Sequence, residues 1–593
     1  MLSVAKRFLC LICSVVCLTV LHYLFEFVAF TAFAAHHSQA QLTAIVGGTL
    51  IDGTGGEPLP DAVIIIEGDT IKTIFQKGEA DLPPEAKIIN AEGQFILPGL
   101  IDMHVHYADW MPEMFLAYGV TSVVDLAGYD WVYVQKDGIA KGKIPGPRLF
   151  ASSPILDGRL FWNVPFVLLK DPEEARARAK SAIAQGVDLL KVYTEISAEE
   201  VRAVVEEGHK AGLPVMGHIG AIDARQAAEL GIDGLAHATG IALATIADPA
   251  KIAEMREFES IGISVDYPHF LLYHAYMDRQ KANDLIRLLV KEDVSLEPDL
   301  INTSSRFAAQ QREEYRKEDT KLVQNPDLQY IPESYRQRAL YYEEPLAVLT
   351  PEEQALLQQG YANLQYFLRT FVEAGGRVLA GSDTASFVLP GISLHREMEL
   401  LVDAGLSPMQ AIMAATKNNA DFLRRTDVGI LAVGKKADLI LIRDNPLQDI
   451  RHTQAIETVM KGGKVLDTSY TPDFRNPVPS PPLPWGYFAN PPPVIMSLSP
   501  QVAIAGAESH TVVLEGENFL DSSTVEVNGT PVAAQPVADS RLYGTTYLPH
   551  YSQMKVTIPA TLLTKAGTFP LTITNPQPEG GTSPPVHVIV QFP

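Results

Sequence analysis

Short apolar runs alternate with helical stretches through the middle of this chain, and that alternation constrains the fold more than any other feature. The runs are TSVVDLA, RLFASSPIL, VDLLKVY, LPVMGHI, IDGLAHAT, VSLEPDLI and RVLAGSD. Amphipathic stretches such as SAEEVRAVVEEGHKAG separate most of them. Repeated βα units form a parallel sheet, and about eight of them close into a barrel. The chain is therefore predicted to be an α/β protein built on a (β/α)8 TIM barrel.

Strand-rich segments flank this region on both sides. AIVGGTLIDGTG and DAVIIIEGDTIKTIF precede it, and VGILAVGKKADLILIRDNPL follows it, each with glycine turns. We expect the two flanks to form one small β-sandwich domain. Farther on, NPVPSPPLPWGYFANPPPV predicts a stiff linker. Beyond the linker, alternating strands with a hairpin signal at Asn528 and Gly529 predict an immunoglobulin-like β-sandwich.

These features divide the 593 residues into several predicted domains. Long charged helices between residues 242 and 375 loosen the βα spacing, and we interpret them as insertions that cover the barrel mouth. The predicted divisions are 1–40, a signal peptide or membrane anchor; 41–97 and 427–475, the two parts of the small β-sandwich; 98–426, the barrel; 476–493, the Pro-rich linker; and 494–593, the C-terminal sandwich.

The N-terminus resembles an export signal. Lys6 and Arg7 precede an apolar stretch from Phe8 to Ala35, and small residues follow it. This stretch is also long enough to span a bilayer, so an uncleaved anchor is the alternative. We therefore expect an exported protein, periplasmic or extracellular, that contacts a membrane only through this segment if it stays attached.

Composition narrows the chemistry of the exported part. All three cysteines lie inside the apolar N-terminal segment, so the remainder has no thiol for a disulfide or a nucleophile. Any metal site must then use His and carboxylate-type ligands. The net charge of −23 argues against nucleic acid as a partner. A small-molecule substrate is expected, and association into a homo-oligomer is left open.

Metal-ligand side chains occur at the predicted C-terminal ends of the barrel strands, where a TIM barrel places its active site. GLIDMHVHYAD carries His104 and His106, which project to the same face of a strand. Later strands add, in chain order, Lys191, His218, His237 and Asp383. Four histidines and a carboxylate suit two divalent ions such as zinc. A protonated lysine repels a cation, so the lysine becomes a ligand only if CO2 converts it to a carbamate, whose two oxygens can bridge two metals.

These residues lie in motifs that resemble the amidohydrolase superfamily from about Ala44 to Asp467. The motifs are PGLIDMHVH, HKAGLPVMGHI, GSDT, SLHREMELLVDAGLSPMQAI and GILAVGKKADLILI. Within the superfamily, the chain is most similar to the binuclear group with a carboxylated lysine on strand four, which includes Xaa-Pro dipeptidases and N-acyl amino-acid hydrolases. By resemblance, one metal is held by His104, His106 and Asp383, the other is held by His218 and His237, and Lys191 bridges them. The C-terminal module resembles a TIG (transcription-factor-type immunoglobulin-like) domain, on the cues PPVIMSLSP, GENF and VEVNGTPV.

The resemblance implies an exported metal-dependent amidohydrolase that uses a metal-activated hydroxide to cleave C–N bonds of amides or dipeptide-like substrates, including Xaa-Pro dipeptides and N-acyl amino acids. Asp383 would take the proton of the attacking water and deliver it to the leaving nitrogen. Asp102 is expected to orient a ligand histidine rather than to bind metal. Three further residues are candidate substrate contacts: Tyr193, which shares the inward face of the strand with the lysine, Arg159, which would clamp a carboxylate, and Tyr267.

Two other functions are compatible with the sequence. One is a mononuclear hydrolase of cyclic C–N bonds, similar to imidazolonepropionases and deaminases, in which Lys191 is only an inward polar residue. The other is a non-catalytic surface-binding protein that uses the TIG-like module and retains a vestigial barrel. Counting the bound metals separates the two enzymes, and the complete ligand set argues against the binding protein.

Overall fold

A computed structural model describes most of the chain from residue 42 onward. The described ranges are 42–158, 166–258, 267–303, 310–340, 350–384, 388–479, 493–520, 523–537, 551–575 and 581–591. The predicted signal or anchor, Arg159 and most of the predicted linker lie outside these ranges. Within them, none of the helices has the length and apolar character that a membrane crossing requires.

The strands are numbered in chain order. Those of the N-terminal flank are β1 Leu42–Leu50, β2 Leu59–Glu67, β3 Thr70–Gln76, β4 Lys87–Asn90 and β5 Phe95–Pro98. Those of the barrel region are β6 Leu100–Val105, β7 Val120–Asp125, β8 Arg148–Ala151, β9 Ile155–Asp157, β10 Phe166–Leu168, β11 Leu190–Val192, β12 Val215–Gly217, β13 Gly234–Ala236 and β14 Ser295–Glu297. The C-terminal flank contains β15 Leu439–Ile442, β16 Ile456–Lys461 and β17 Lys464–Val465. The C-terminal module contains β18 Val494–Ser499, β19 Val502–Ile504, β20 Ser509–Phe519, β21 Thr524–Val527, β22 Thr530–Pro536, β23 Tyr551–Pro559, β24 Gly567–Thr574 and β25 Val586–Gln591.

The helices lie between the barrel strands and in the insertions. Their bounds are α1 Pro112–Ala117, α2 Asp130–Ala140, α3 Pro172–Ala184, α4 Ala198–Lys210, α5 Ala224–Glu229, α6 Ile241–Thr245, α7 Pro249–Phe258, α8 Tyr267–His274, α9 Arg279–Lys291, α10 Leu300–Thr303, α11 Arg312–Val323, α12 Glu333–Ala339, α13 Pro351–Glu373, α14 Ile392–Asp403, α15 Pro408–Ala414 and α16 Lys417–Phe422. Three short 3-10 turns are Pro326–Leu328, Ile450–Gln454 and Ala560–Leu562.

Local sequence explains where these helices begin. At α4, the Ser197 side chain accepts a hydrogen bond from the backbone N–H of Glu200, and the Glu200 carboxylate accepts one from the backbone N–H of Ser197. This capping box satisfies two N–H groups that have no partner inside the helix. The predicted helix over SAEEVRAVVEEGHKAG is therefore confirmed and begins one residue after Ser197.

Eight parallel segments close into a ring, in agreement with the predicted barrel. The strands β6, β7 and β8 pair in parallel, and so do β11, β12, β13 and β14. Isolated parallel bridges complete the ring: Ser152 with Leu189, Leu296 with Val378, and Val105 with Thr384. The eighth segment, 378–384, therefore joins through single bridges and not as a continuous strand. The ring brings the C-terminal ends of all eight segments to one face.

The two flanks join in one sheet, because β15 pairs antiparallel with β5. The strand order is β17-β16-β15-β5-β1-β2-β3, with β4 beside β1. We predicted one small β-sandwich from the two flanks, and the direct pairing of β15 with β5 does join them into one sheet. Successive residues point to opposite faces, so Ile45 and Ile64 lie in one apolar cluster while Ala44 and Val63 lie in another.

The C-terminal module is all β among its described residues, with strand order β18-β20-β23-β22-β21-β24-β25-β19. Asn528 and Gly529 have φ angles of 51° and 72° and connect β21 to β22, which confirms the hairpin. Its interior is a separate apolar cluster that includes Val512, Val556 and Ile573. Its assignment as an immunoglobulin-like or TIG domain is still a prediction.

The first residues of the predicted linker pack on the barrel. The side-chain amides of Asn476 and Gln135 hydrogen-bond to each other, at 2.9 Å between Asn476 Nδ2 and Gln135 Oε1. The Val478 carbonyl accepts hydrogen bonds from Trp131 Nε1 at 3.1 Å and from Gln135 Nε2 at 2.8 Å. Both donors lie on α2, so the chain is attached to the barrel at least as far as Val478.

Candidate functional site

The predicted metal ligands lie where the barrel strands end. His104 is on β6 and His106 follows it, Lys191 is on β11, His218 and His237 directly follow β12 and β13, and Asp383 is in the eighth segment. All except His106 are buried. His237 and Asp383 have positive φ angles of 55° and 48°, a backbone conformation that non-glycine residues adopt at a cost and mostly at functional sites.

Distances between side chains show that the structure brings these residues together. The Asp383 Oδ1 atom is 3.0 Å from His106 Nε2 and 3.6 Å from His104 Nε2. The ring centroids of His104 and His237 are 4.8 Å apart, and those of His218 and His237 are 4.5 Å apart. One described group with metal-ligand spacing is His104, His106 and Asp383, within 4.8 Å of one another, as the resemblance implies for the first metal.

Lys191 belongs to the same cluster. Its side chain is buried, and its Nζ atom has no hydrogen-bond partner among the described residues. Burial lowers the pKa of Lys191 to about 8, although the charges of Glu297, Asp383 and Asp299 act in the opposite direction. A buried amine without a partner is costly. Its environment therefore favours the neutral amine that a reaction with CO2 requires.

Burial also fixes the protonation of the histidines. It lowers the pKa values of His104, His218 and His237 well below the ordinary value, and the charge of Lys191 adds to the effect. These three rings are therefore neutral near pH 7. Neutral imidazole is the form that binds a metal ion.

Sequence reasoning missed two carboxylates that contact the histidines. Glu297, at the end of β14, has Oε2 3.1 Å from His104 Nδ1, and Asp299 has Oδ2 2.9 Å from His237 Nδ1. Both carboxylates are fully buried, and burial raises the pKa of each well above its usual value. The available signal was the pair of acidic residues in VSLEPDLI at a strand end.

A third missed residue, Asn302, binds the predicted acid–base group. Its Nδ2 atom donates a hydrogen bond of 2.6 Å to Asp383 Oδ2. The other carboxylate oxygen of Asp383 is the one near His104 and His106. The two oxygens of Asp383 thus face different partners.

Asp102 does contact a ligand histidine, but through the main chain. Its Oδ1 atom accepts from the backbone N–H groups of His104 and Ser382, at 3.2 and 3.0 Å, and its Oδ2 accepts from Ser382 Oγ at 2.6 Å. Burial raises the pKa of Asp102 to about 7. This carboxyl connects β6 to the eighth segment, and none of these three hydrogen bonds is to an imidazole ring.

Of the three predicted substrate contacts, the structure describes the side chain of Tyr193 only. The Tyr193 ring lies edge-on to His218 with centroids 4.6 Å apart, so it does face the cluster. Arg159 is outside the described residues. Tyr267 begins α8, but its side chain is among those that the structure does not describe.

The residues present fit divalent cations. Three buried carboxyl groups, Glu297, Asp299 and Asp383, lie near the amine of Lys191, and burial raises the pKa values of Glu297 and Asp299 because it disfavours their charged forms. Buried charge without compensation is unfavourable, and added cations remove that penalty. The histidines are held as neutral nitrogen ligands beside carboxylate oxygens, which is a donor set suited to zinc and similar ions.

Comparisons with known proteins agree with this architecture. Residues 344–466 match the amidohydrolase family. The chain is 24% identical over 527 residues to an ochratoxinase of Aspergillus niger, a match that covers 75% of this chain and 91% of that protein. It is 26% identical to adenine deaminase 2 of Agrobacterium fabrum, over 73% of this chain and 59% of that one.

A solved structure shows the same fold. A putative prolidase from Bifidobacterium longum superposes with a TM-score of 0.53 at 23% identity, covering 74% of this chain and 97% of the other. The fold is therefore a TIM barrel with an additional β-rich domain. The match of residues 344–466 to the amidohydrolase family, together with the enzyme relatives, supports a hydrolase that acts on carbon–nitrogen bonds.

Proposed function

We propose that the protein is an exported hydrolase of amide or dipeptide-like bonds that works with two divalent metal ions, most simply zinc. The observation that carries the proposal is the convergence of His104, His106, His218, His237 and Asp383 with Lys191, whose buried amine has no hydrogen-bond partner among the described residues. The names of two relatives, an ochratoxinase and a putative prolidase, support a small amide substrate.

The amino-acid side chains divide into two ligand groups. His104, His106 and Asp383 would hold one ion, and His218 and His237 would hold the other. When bound, the ions would polarise a carbonyl oxygen and lower the pKa of a water molecule so that it can attack near neutral pH.

Lys191 is the proposed bridge. Its neutral amine would attack CO2, forming an N–C bond and releasing one proton, and the resulting carbamate carries two oxygens and a negative charge. With a pKa of about 8, about a tenth of the amine is neutral at pH 7, far more than for an exposed lysine. No hydrogen bond needs to be broken at Nζ within the described residues before it reacts.

Asp383 is the proposed acid–base residue. Its Oδ1 lies beside His104 and His106, where a proton from the attacking water would be accepted, while Asn302 holds Oδ2. The same proton would then pass to the leaving nitrogen, so that the amine departs neutral. Tyr193, edge-on to His218, is positioned to contact the substrate or the water.

Export is proposed from the N-terminal sequence alone, since residues 1–40 lie outside the described part of the chain. The C-terminal module has its own apolar core, and we propose that it acts as a spacer or adhesion module.

A substrate panel tests the proposed activity. Zinc-loaded full-length protein is assayed with Xaa-Pro dipeptides, other dipeptides, N-acyl amino acids and a cyclic imidazolone. We expect hydrolysis of at least one linear amide, loss of activity after chelation, and its return with zinc. The Asp383→Asn variant is the matched control and should be inactive on the same substrate. Turnover of the cyclic compound alone would contradict the proposal.

A further inference from the structure

One short segment after β14, residues 297–302, contacts three groups of the site. Glu297 contacts His104, Asp299 contacts His237 and Asn302 contacts Asp383. The contacts alternate between side chains proposed for the first ion, the second ion and the proton transfer. These three contacts come from within six consecutive residues.

The carboxylates contact the Nδ1 atoms of the rings. A carboxylate at Nδ1 holds the proton on that nitrogen, which leaves Nε2 as the nitrogen with a free lone pair. The distances are 3.1 Å at His104 and 2.9 Å at His237. At His104, the Nε2 atom is on the side of Asp383, at 3.6 Å from its Oδ1. Each ligand group thus contains one histidine oriented by a carboxylate.

Asn302 contacts a carboxylate oxygen of Asp383 and not a histidine ring. Its amide donates to Asp383 Oδ2 at 2.6 Å and therefore restrains rotation of the carboxylate. Asp383 Oδ1 then stays directed toward His106, 3.0 Å away. Loss of this contact changes the orientation of the acid–base group and leaves the four imidazoles in place.

The segment is itself fixed from two sides. β14 pairs with β13 and bridges to Val378, which places Glu297 inside the ring. On α14, the Glu397 side chain is buried and accepts the backbone N–H of Ile301 at 2.7 Å. Gly381 leaves room for Glu297, since a Cβ atom there would lie 2.6 Å from Glu297 Oε1. The three side chains therefore have a rigid support.

We infer that residues 297–302 are the positioning element of the site, in which Glu297 orients the histidine of one ion, Asp299 orients the histidine of the other, and Asn302 aligns Asp383. The inference rests on the proposed binuclear function. It adds that the affinity of each ion is set by a different carboxylate at the same strand end. It also adds that these three residues act through other side chains.

Metal affinity tests the inference without relying on activity. Zinc is removed from the full-length protein and titrated back in competition with a chromophoric chelator. In Glu297→Gln, we expect one of the two ions to bind 10–100-fold more weakly, on the order seen when such a partner of a ligand histidine is removed. In Asp299→Asn, we expect the same loss for the other ion. The double variant should therefore bind both ions weakly, whereas two substitutions acting on one ion would leave the second intact.

Asn302→Ala should behave differently. The second ion should bind as in the wild type, and the first, which Asp383 also holds, should weaken less than in Glu297→Gln, while kcat falls at least tenfold and KM changes less, since the alignment of Asp383 matters most in the reaction step. Glu292→Gln, an exposed carboxylate shortly before β14, is the matched control and should change neither affinity nor kcat.

Circular dichroism of each metal-free variant checks folding. Glu297→Asp, which keeps the charge but shortens its reach, serves if Glu297→Gln does not fold, and it should also weaken one ion. Wild-type affinity for both ions in the Glu297 and Asp299 variants would overturn the inference. Failure of the wild-type protein to bind two ions would instead overturn the proposed function, so the two failures are distinguishable.

Discussion

Replacing Arg396 with methionine should destabilise the packing of α14 against α11 by several kcal/mol. Arg396 lies on α14, and its guanidinium binds Asp319 Oδ1 at 2.8 Å and Glu318 Oε2 at 2.9 Å on α11. Its carbon Cζ also lies 4.8 Å from the centre of the Tyr315 ring. Arg396 and Asp319 have only 1% of their side-chain surfaces exposed.

The magnitude follows from what the substitution leaves behind. Methionine fills most of the volume, but Asp319 loses the guanidinium and stays buried. Removing one partner of a buried ion pair costs about 3–5 kcal/mol. Glu318 is 35% exposed and can turn toward water, so it adds little. We therefore expect a loss of about 3–5 kcal/mol in the free energy of unfolding.

Urea unfolding of the full-length protein, followed by tryptophan fluorescence, measures this loss. The fluorescence of Trp110 reports on the packing of α12, because its ring centre is 5.0 Å from that of Tyr335 on that helix. The control is Lys141→Met, which removes an ion pair whose side chains are 64% and 62% exposed and should cost only a small fraction as much. The double variant Arg396→Met with Asp319→Leu should recover most of the loss. A cost below about 1 kcal/mol for Arg396→Met alone would refute the reasoning.

Three further outcomes are expected. Lys191→Ala should lose most activity and regain part of it with added acetate or propionate at the bridging position, whereas Asp383→Asn should not respond; equal rescue of both would contradict the separate roles. Burial raises the pKa of Asp157 to about 7, so the folded state keeps a proton that the unfolded state releases near pH 4. The contribution of this proton to the free energy of unfolding is therefore lost as the pH rises from 4 to 7. The difference in Tm between Asp157→Asn and the wild type should therefore move in favour of the variant from pH 5 to pH 8, and a constant difference would exclude this cause. Truncation after Pro479, which keeps the contacts of Val478, should leave hydrolase activity nearly unchanged; loss of activity in a folded truncated protein would give the C-terminal module a role in the site.

The barrel and the candidate ligands could be predicted because both follow from local pattern. Apolar runs between amphipathic helices predict the strands, and a parallel barrel brings strand ends such as those at Lys191 and His218 to one face. The alternation in β6 similarly predicted that His104 and His106 project together. To predict which side chains share this face, it was enough to know which residues end each strand, without the distances between them.

The partners of the ligands could not be predicted in the same way. His104 and Glu297 are 193 positions apart, and no local pattern indicates which buried carboxylate will contact which ring. Asp102 was expected to orient a ligand histidine, and it accepts from the backbone N–H of His104, but no local pattern indicates its contacts with Ser382 in the eighth segment.

Two features of the fold also depend on contacts between distant parts of the chain. The two flanks join through the pairing of β15 with β5, a contact between distant segments that their sequences do not specify. The predicted linker begins too early because the Pro-rich sequence around Val478 indicates a linker, whereas its carbonyl accepts hydrogen bonds from distant residues on α2 that no local pattern indicates.

Zinc content before and after substitution of Lys191 tests the central claim most directly. Full-length wild-type protein, loaded with zinc in the presence of bicarbonate and freed of excess ion, is analysed for metal per chain beside Lys191→Ala. We expect about two ions per chain in the wild type and a clear loss in the variant, because the bridging carbamate is absent. At most one ion in well-loaded wild type, or two ions in a fully active Lys191→Ala variant, would contradict it.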